Sequence, residues 1–314
     1  MAGPFQSIKR IFRRLLGVEA IRREQRDHDE RATRAALVLG NALVAARLDP
    51  ADLAALPEYR RVAEVVGLLG TFRVAGTEMA RLGGEIDGGY VMLDTLRPSA
   101  VTAGYSFGVG HDVSWDAAVA ERGIDLVLYD HTVRALPAPV PRARFVRQGV
   151  CGAVPVPGCR TLAEAIADNG HAGRTDLVLK MDIEGAEWEA LAAAPVETLG
   201  QFAQMALEFH GMSRAATPAG HALMVGVLGK LARTHCPLHV HGNNYLPPLV
   251  LGDLVLPEVL EVTWVRRRDH EGRLVPRDEP FPTELDRPNV PDRPDIILGR
   301  TFSTPRPGSR VGPR

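Results

Sequence analysis

The chain has only three cysteines, Cys151, Cys159 and Cys236, an odd number with no CxxC pair, which leaves neither a disulfide framework nor a zinc ribbon. They read as reduced thiols of a cytoplasmic protein. No apolar run approaches the ~20 residues that cross a bilayer, and the N-terminus has no uninterrupted apolar stretch of the ~7–15 residues of a secretory signal. Charge is balanced, 37 basic against 38 acidic residues, so no global field draws the chain to nucleic acid. Repeats at solenoid periods are missing too. What remains, 314 residues with 45% hydrophobic and 24% charged, is an ordinary soluble composition that can bury one large core or two modest ones.

The opening segment PFQSIKRIFRRLLG sets Phe5, Ile8, Ile11, Phe12, Leu15 and Leu16 at helical spacing, with Lys9, Arg10, Arg13 and Arg14 on the remaining surface. This basic amphipathic helix is expected to pack on its own domain; peripheral contact with an anionic membrane, or docking to a partner or second copy, is the alternative. A second helix is expected from Glu19 to about Leu48, ended by Asp49-Pro50, and a third from Ala51 to Leu69. These form an N-terminal helical extension, 1–70, ahead of a main domain, 71–300, and a disordered tail, 301–314.

Beyond Gly76, short β-rich runs alternate with helical patterns, the signature of a parallel sheet with crossover helices. Seven strands are predicted, at Val101–Gly108, Asp125–Tyr129, Ala143–Gly149, Asp176–Met181, Gln204–Phe209, Leu238–His241 and Val259–Arg266. The fold class is therefore α/β and Rossmann-like, a mostly parallel seven-stranded sheet with flanking helices. Runs such as DLVLYD and DLVLKMD suit strands buried on both faces. From about Arg267 the chain, rich in Pro, Arg and Asp, should wrap the domain irregularly.

The strand ending at Gly108-Val109-Gly110 runs into a helix capped by Asp112 or Ser114. Glycines there let the backbone turn tightly beside a ligand, and a helix N-terminus offers unpaired N–H groups. The next strand ends in Asp130, about 20 residues on, where such folds place an acid for ribose hydroxyls. The position of the third glycine of a dinucleotide fingerprint holds Val113, which argues against a pyrophosphate and for a cofactor without one, such as S-adenosylmethionine. A second block, DLVLKMDIEGAEWEAL, places Asp182 at the carboxyl end of a central strand, facing the cofactor cleft, with Glu184 and Glu187 close by. Either glutamate could instead serve the positive end of the following helix. Upstream, RLGGEIDGGY carries Asp87 in a glycine-dense loop that could close over the cofactor or form a hairpin corner.

The motifs K-M-D-I-E-G-A-E-W at Lys180 to Trp188, S-F-G-V-G-H-D at Ser106 to Asp112 and D-G-G-Y at Asp87 to Tyr90 resemble those of FkbM-type methyltransferases. So do Thr161-Leu162, L-E-F-H at Leu207 to His210, and L-D-R-P-N-V-P-D-R-P-D at Leu285 to Asp295. The resemblance covers about residues 78 to 298, with the D-I-E-G-A-E block its most specific part. It implies a class I methyltransferase fold, with Gly108 and Gly110 near the methionine part of S-adenosylmethionine, Asp130 on the ribose and Asp182 lining the cleft. Val109 and His111 depart from the commonest glycine-loop pattern.

Glu208 and His210 share one face of a strand, and His239 and His241 repeat that geometry on the next. Beside Asp182 they could form a metal site or an acid/base pair; the donors follow no strict motif, so no metal ligand is assigned. In methyl transfer from a sulfonium the donor brings the reactivity, and the protein aligns the acceptor and removes its proton. The expected base is His210 as a neutral imidazole, assisted by Glu208, with His239 and His241 as alternates. The resemblance implies O-methylation of a sugar, glycolipid or natural product. An NAD-dependent oxidoreductase and a non-catalytic binding module are the competing readings.

Overall fold

The computed structural model describes residues 49–304. The two first helices expected in the extension, and the last ten residues of the tail, lie outside the described residues. Where one helix was expected over 51–69 there are two, α1 (Pro50–Ala55) and α2 (Pro57–Leu68). Pro57 makes the break: the residue before a proline is pushed out of the helical region, and Leu56 is extended at φ −69°, ψ 130°.

Two short antiparallel strands, β1 (Met79–Leu82) and β2 (Tyr90–Leu93), form a hairpin ahead of the sheet. Seven strands then follow the predicted segments: β3 (Ala103–Phe107), β4 (Asp125–Tyr129), β5 (Ala143–Val146), β6 (Leu177–Met181), β7 (Phe202–His210), β8 (His235–Asn243) and β9 (Val259–Arg266). They make one sheet in the order β8-β9-β7-β6-β3-β4-β5. Pairing is parallel from β7 through β5, and only β9 runs against its neighbours. Helices α3 (Ser114–Glu121), α4 (Leu162–Asp168), α5 (Glu187–Ala193) and α6 (Pro218–Ala232) lie between strands. This mixed α/β arrangement is compatible with a Rossmann-like fold.

Alternation along the central strands fills two cores. Leu177, Leu179 and Met181 join one with α2, α5 and α6, whereas Val178, Leu126 and Leu128 join another with α3 and the hairpin. Continuous apolar runs follow from burial on both faces. Val62, Val65, Val66 and Leu69 at the end of the extension belong to the first core, so this part is built into the main domain. The segment after Arg267 is mostly irregular, yet it buries Phe281, Leu298 and Phe302. Among the described residues no helix is long and apolar enough to cross a membrane.

From β3 the chain builds outward through β4 and β5, then returns to the opposite side of β3 with β6. The crevice outside the carboxyl ends of β3 and β6 is therefore the topological switch point, where open α/β sheets bind ligands.

Candidate active site

Strand register assembles the site. Phe107 is level with Tyr129 on one side and Met181 on the other, and Met181 is level with Leu207. The next residue on each strand is Gly108, Asp130, Asp182 and Glu208, so four residues far apart in sequence form one row along the sheet's carboxyl edge.

Gly108, at φ 81°, is pressed against the β6 exit: a Cβ there would lie 1.5 Å from the Asp182 carbonyl oxygen. Its own carbonyl accepts from the buried Lys180 ammonium at 2.6 Å. Gly110, at φ 55°, faces open space, with no atom within 4 Å of its Cβ position. Asp130 braces this turn. One carboxylate oxygen accepts from the Val109 and Gly110 amides at 3.0 and 2.9 Å, and the other from the Thr132 amide and hydroxyl, both at 2.6 Å. Burial alone would raise its pKa, but these bonds outweigh it and hold the carboxyl below its usual range. The lone-pair positions expected to serve a ribose are thus filled from within the chain. Val113 stands at the N-cap of α3, buried, and the Asp112 side chain accepts from the Ser114 amide.

After β6 the chain turns through Glu184 and Gly185, both with positive φ, 54° and 100°. Glu187, fully buried, holds that turn: its carboxylate accepts from the Ile183 amide at 2.8 Å and the Gly185 amide at 3.1 Å. It also accepts from His210 Nδ1 at 3.2 Å. Glu187 is therefore an internal brace rather than a free cofactor ligand. The neutral base expected at His210 is corrected by the same contact. Burial favours the neutral ring, but the Glu187 bond and charge, with Glu208 and Asp182, raise its pKa to about 10. His210 is an imidazolium at neutral pH. Asp182 keeps its side chain 27% exposed, 3.9 Å from Lys180 Nζ, and burial raises its pKa above the usual carboxylate range.

Behind this row lies a buried polar layer under the hairpin. Glu208 accepts from the Tyr90 hydroxyl at 2.9 Å and from Asn243 Nδ2 at 3.1 Å, and burial raises its pKa well above the ordinary value. Glu261 on β9 pairs with His241 at 3.3 Å and accepts from Asn289 Nδ2 at 2.7 Å. Asp87, on the exposed rim, also accepts from Asn289 Nδ2, at 3.0 Å. The loop carrying Asp87 packs on the glycine turn's helix as well, Gly84 donating its amide to the Ser114 hydroxyl at 2.8 Å. One carboxylate oxygen each of Asp182 and Glu208 and one ring nitrogen of His210 lie within 4.8 Å of one another; Asp87, Glu208 and Glu261 form a second such group.

His239 and His241 do not open to the crevice, which corrects their expected role as alternate bases. His239 is buried against Asp286 at 2.7 Å and Phe281, and His241 bonds Glu261 through one ring nitrogen and Asp295, at 3.1 Å, through the other. Both fasten the C-terminal segment to the sheet. Sequence reasoning missed Lys180, Tyr90, Glu261 and Asn289. Glu261 carried a signal, a charge within the otherwise β-rich run VLEVTWV, and Lys180 another, a charge inside a doubly buried strand. No protein-family model matches the chain, and no curated protein matches it.

Proposed function

We propose that the chain is an S-adenosylmethionine-dependent methyltransferase of the FkbM type, acting on a hydroxyl of a sugar, glycolipid or natural product. The observation that carries the reading is the row Asp130–Gly108–Asp182–Glu208 at the switch point, with the glycine turn locked by Lys180 and Asp130 and its Gly110 side left open. A cofactor that approaches the backbone there fits this cradle. A buried Val113 in place of the third glycine favours a cofactor without a pyrophosphate over NAD.

The bound cofactor would supply an activated methyl group; the protein's part is alignment and proton removal. Asp182 and His210 come together beside Glu208, a carboxylate oxygen and a ring nitrogen lying within 4.8 Å of each other. The His210 imidazolium, held by Glu187, lends positive charge beside the acceptor oxygen, and the half-buried Asp182 carboxylate receives its proton. Asp130 supports the cofactor by shaping the turn.

Photocrosslinking tests this. S-adenosylmethionine labelled in its methyl group, irradiated with the full chain, should mark peptides spanning 104–112 or 180–188, and excess S-adenosylhomocysteine should suppress the label. Labelling confined to other peptides, or none at all, would remove the reading.

A further inference from the structure

We propose that Lys180 is a positioning residue that acts through Asp182: its ammonium, fixed beneath the glycine turn 3.9 Å from that carboxylate, keeps the crevice base charged and ready for the acceptor's proton. What the charge is for rests on the methyl-transfer reading; the pairing of Lys180 with Asp182 does not.

A lysine inside a strand buried on both faces is costly unless its charge is compensated. Lys180 shares the face of Val178, which packs toward α3 and the hairpin, and its side chain is 6% exposed. The ammonium is tied at 2.6 Å to the Gly108 carbonyl and stands 5.8 Å from the centroid of the Tyr90 ring on β2. Two carboxylates answer its charge. One is Asp182, at the end of the same strand. The other is Asp116 in the first turn of α3, fully buried, with an Oδ1 that has no hydrogen-bond partner. Burial pushes the Asp116 pKa up, and the Lys180 charge opposes that rise.

Asp182 thus lies within reach of two cations, Lys180 on β6 and the His210 imidazolium on β7, and each of them has a buried carboxylate of its own, Asp116 and Glu187. The side chains alternate in sign, Asp116–Lys180–Asp182–His210–Glu187. The other groups around Asp182 favour its protonated form: Glu184 and Glu187 from the turn and helix after β6, and Glu208 on β7, whose partner is the neutral Tyr90 hydroxyl. Burial acts in the same direction, and of the two cations that oppose it Lys180 has the larger effect. Without that ammonium Asp182 should carry a proton at neutral pH and could not accept another.

The full chain, labelled with ¹³C in its aspartate side-chain carboxyls, is titrated by NMR, Asp182 being the resonance that Asp182→Asn removes. In the parent protein Asp182 should titrate near about 6. In Lys180→Met the midpoint should rise by about 1–3 pH units, the effect of an opposite charge at this range, whereas Lys180→Arg, which keeps the charge, should hold it within about half a pH unit. Circular dichroism checks the fold of both variants. An Asp182 still protonated at neutral pH in the parent would overturn the proposal whether or not the variants fold, as would a midpoint unmoved in Lys180→Met or raised equally in Lys180→Arg. A midpoint that rises in Lys180→Met, in a chain that binds no S-adenosylmethionine, would keep the pairing and remove the methyl-transfer reading; cofactor binding with an unmoved midpoint would remove this proposal alone.

Discussion

Asp130 offers the sharpest mutational test, because a brace and a ribose ligand fail differently. Asp130→Ala removes the acceptor of the buried Val109 amide, the half-buried Gly110 and Thr132 amides, and the Thr132 hydroxyl. Orphaning the Val109 amide costs about 1–3 kcal/mol, and each amide that water can reach about 1 kcal/mol, for a loss of about 3–5 kcal/mol. Asp130→Asn keeps one oxygen for Val109 and Gly110 and turns its NH2 toward Thr132, whose hydroxyl can accept it. Only the Thr132 amide is then left, at about 1–2 kcal/mol. Urea denaturation with an unchanged m-value measures both, and S-adenosylmethionine affinity should fall in the same order, Ala well below Asn. An Asp130→Ala protein within about 0.5 kcal/mol of the parent but deficient in cofactor binding would refute the brace and restore the ribose role.

Gly108→Ala sets a Cβ on the Asp182 carbonyl in a left-handed backbone, so a loss of about 3 kcal/mol or more is expected in the same denaturation assay, with Gly110→Ala costing only its conformational strain. Asp182→Asn should lower kcat about 10²–10⁴-fold once an acceptor is in hand while changing S-adenosylmethionine affinity little; equal losses in both would place Asp182 on the cofactor instead. Buried His235 donates to the Phe202 carbonyl and accepts from the Thr234 hydroxyl, and burial lowers its pKa to about 4. The unfolded imidazole takes its proton first, near 6.5, so stability should drop by up to about 3 kcal/mol as pH falls from about 6.5 to about 4. In His235→Asn that component of the pH dependence should vanish; an unchanged slope would show that His235 is not its source.

The sheet was legible because its strands announce themselves as continuous apolar runs: β4 and β9 begin and end at the predicted residues, and β6 differs by one. The turn at Gly108 was legible for the same reason, as a strand running into glycines before a helix. Roles were harder to read than positions. A carboxylate at a strand end looks alike whether it serves a ligand or the chain's own amides, and Asp130 and Glu187 serve amides and a histidine. The histidines on β8 shared a face, as alternation requires, but their partners Asp286 and Asp295 lie in a segment with no period to announce its path. Asn289 meets Asp87 across 202 residues, a contact that only the folded return of the C-terminal segment creates.

The central claim, that the crevice between β3 and β6 binds S-adenosylmethionine, is tested most directly by calorimetric titration of the full chain with that cofactor and, separately, with NAD. Saturable binding of S-adenosylmethionine alone, weakened in Asp130→Ala, is the predicted result; saturation by NAD alone, or by neither ligand, would contradict the account.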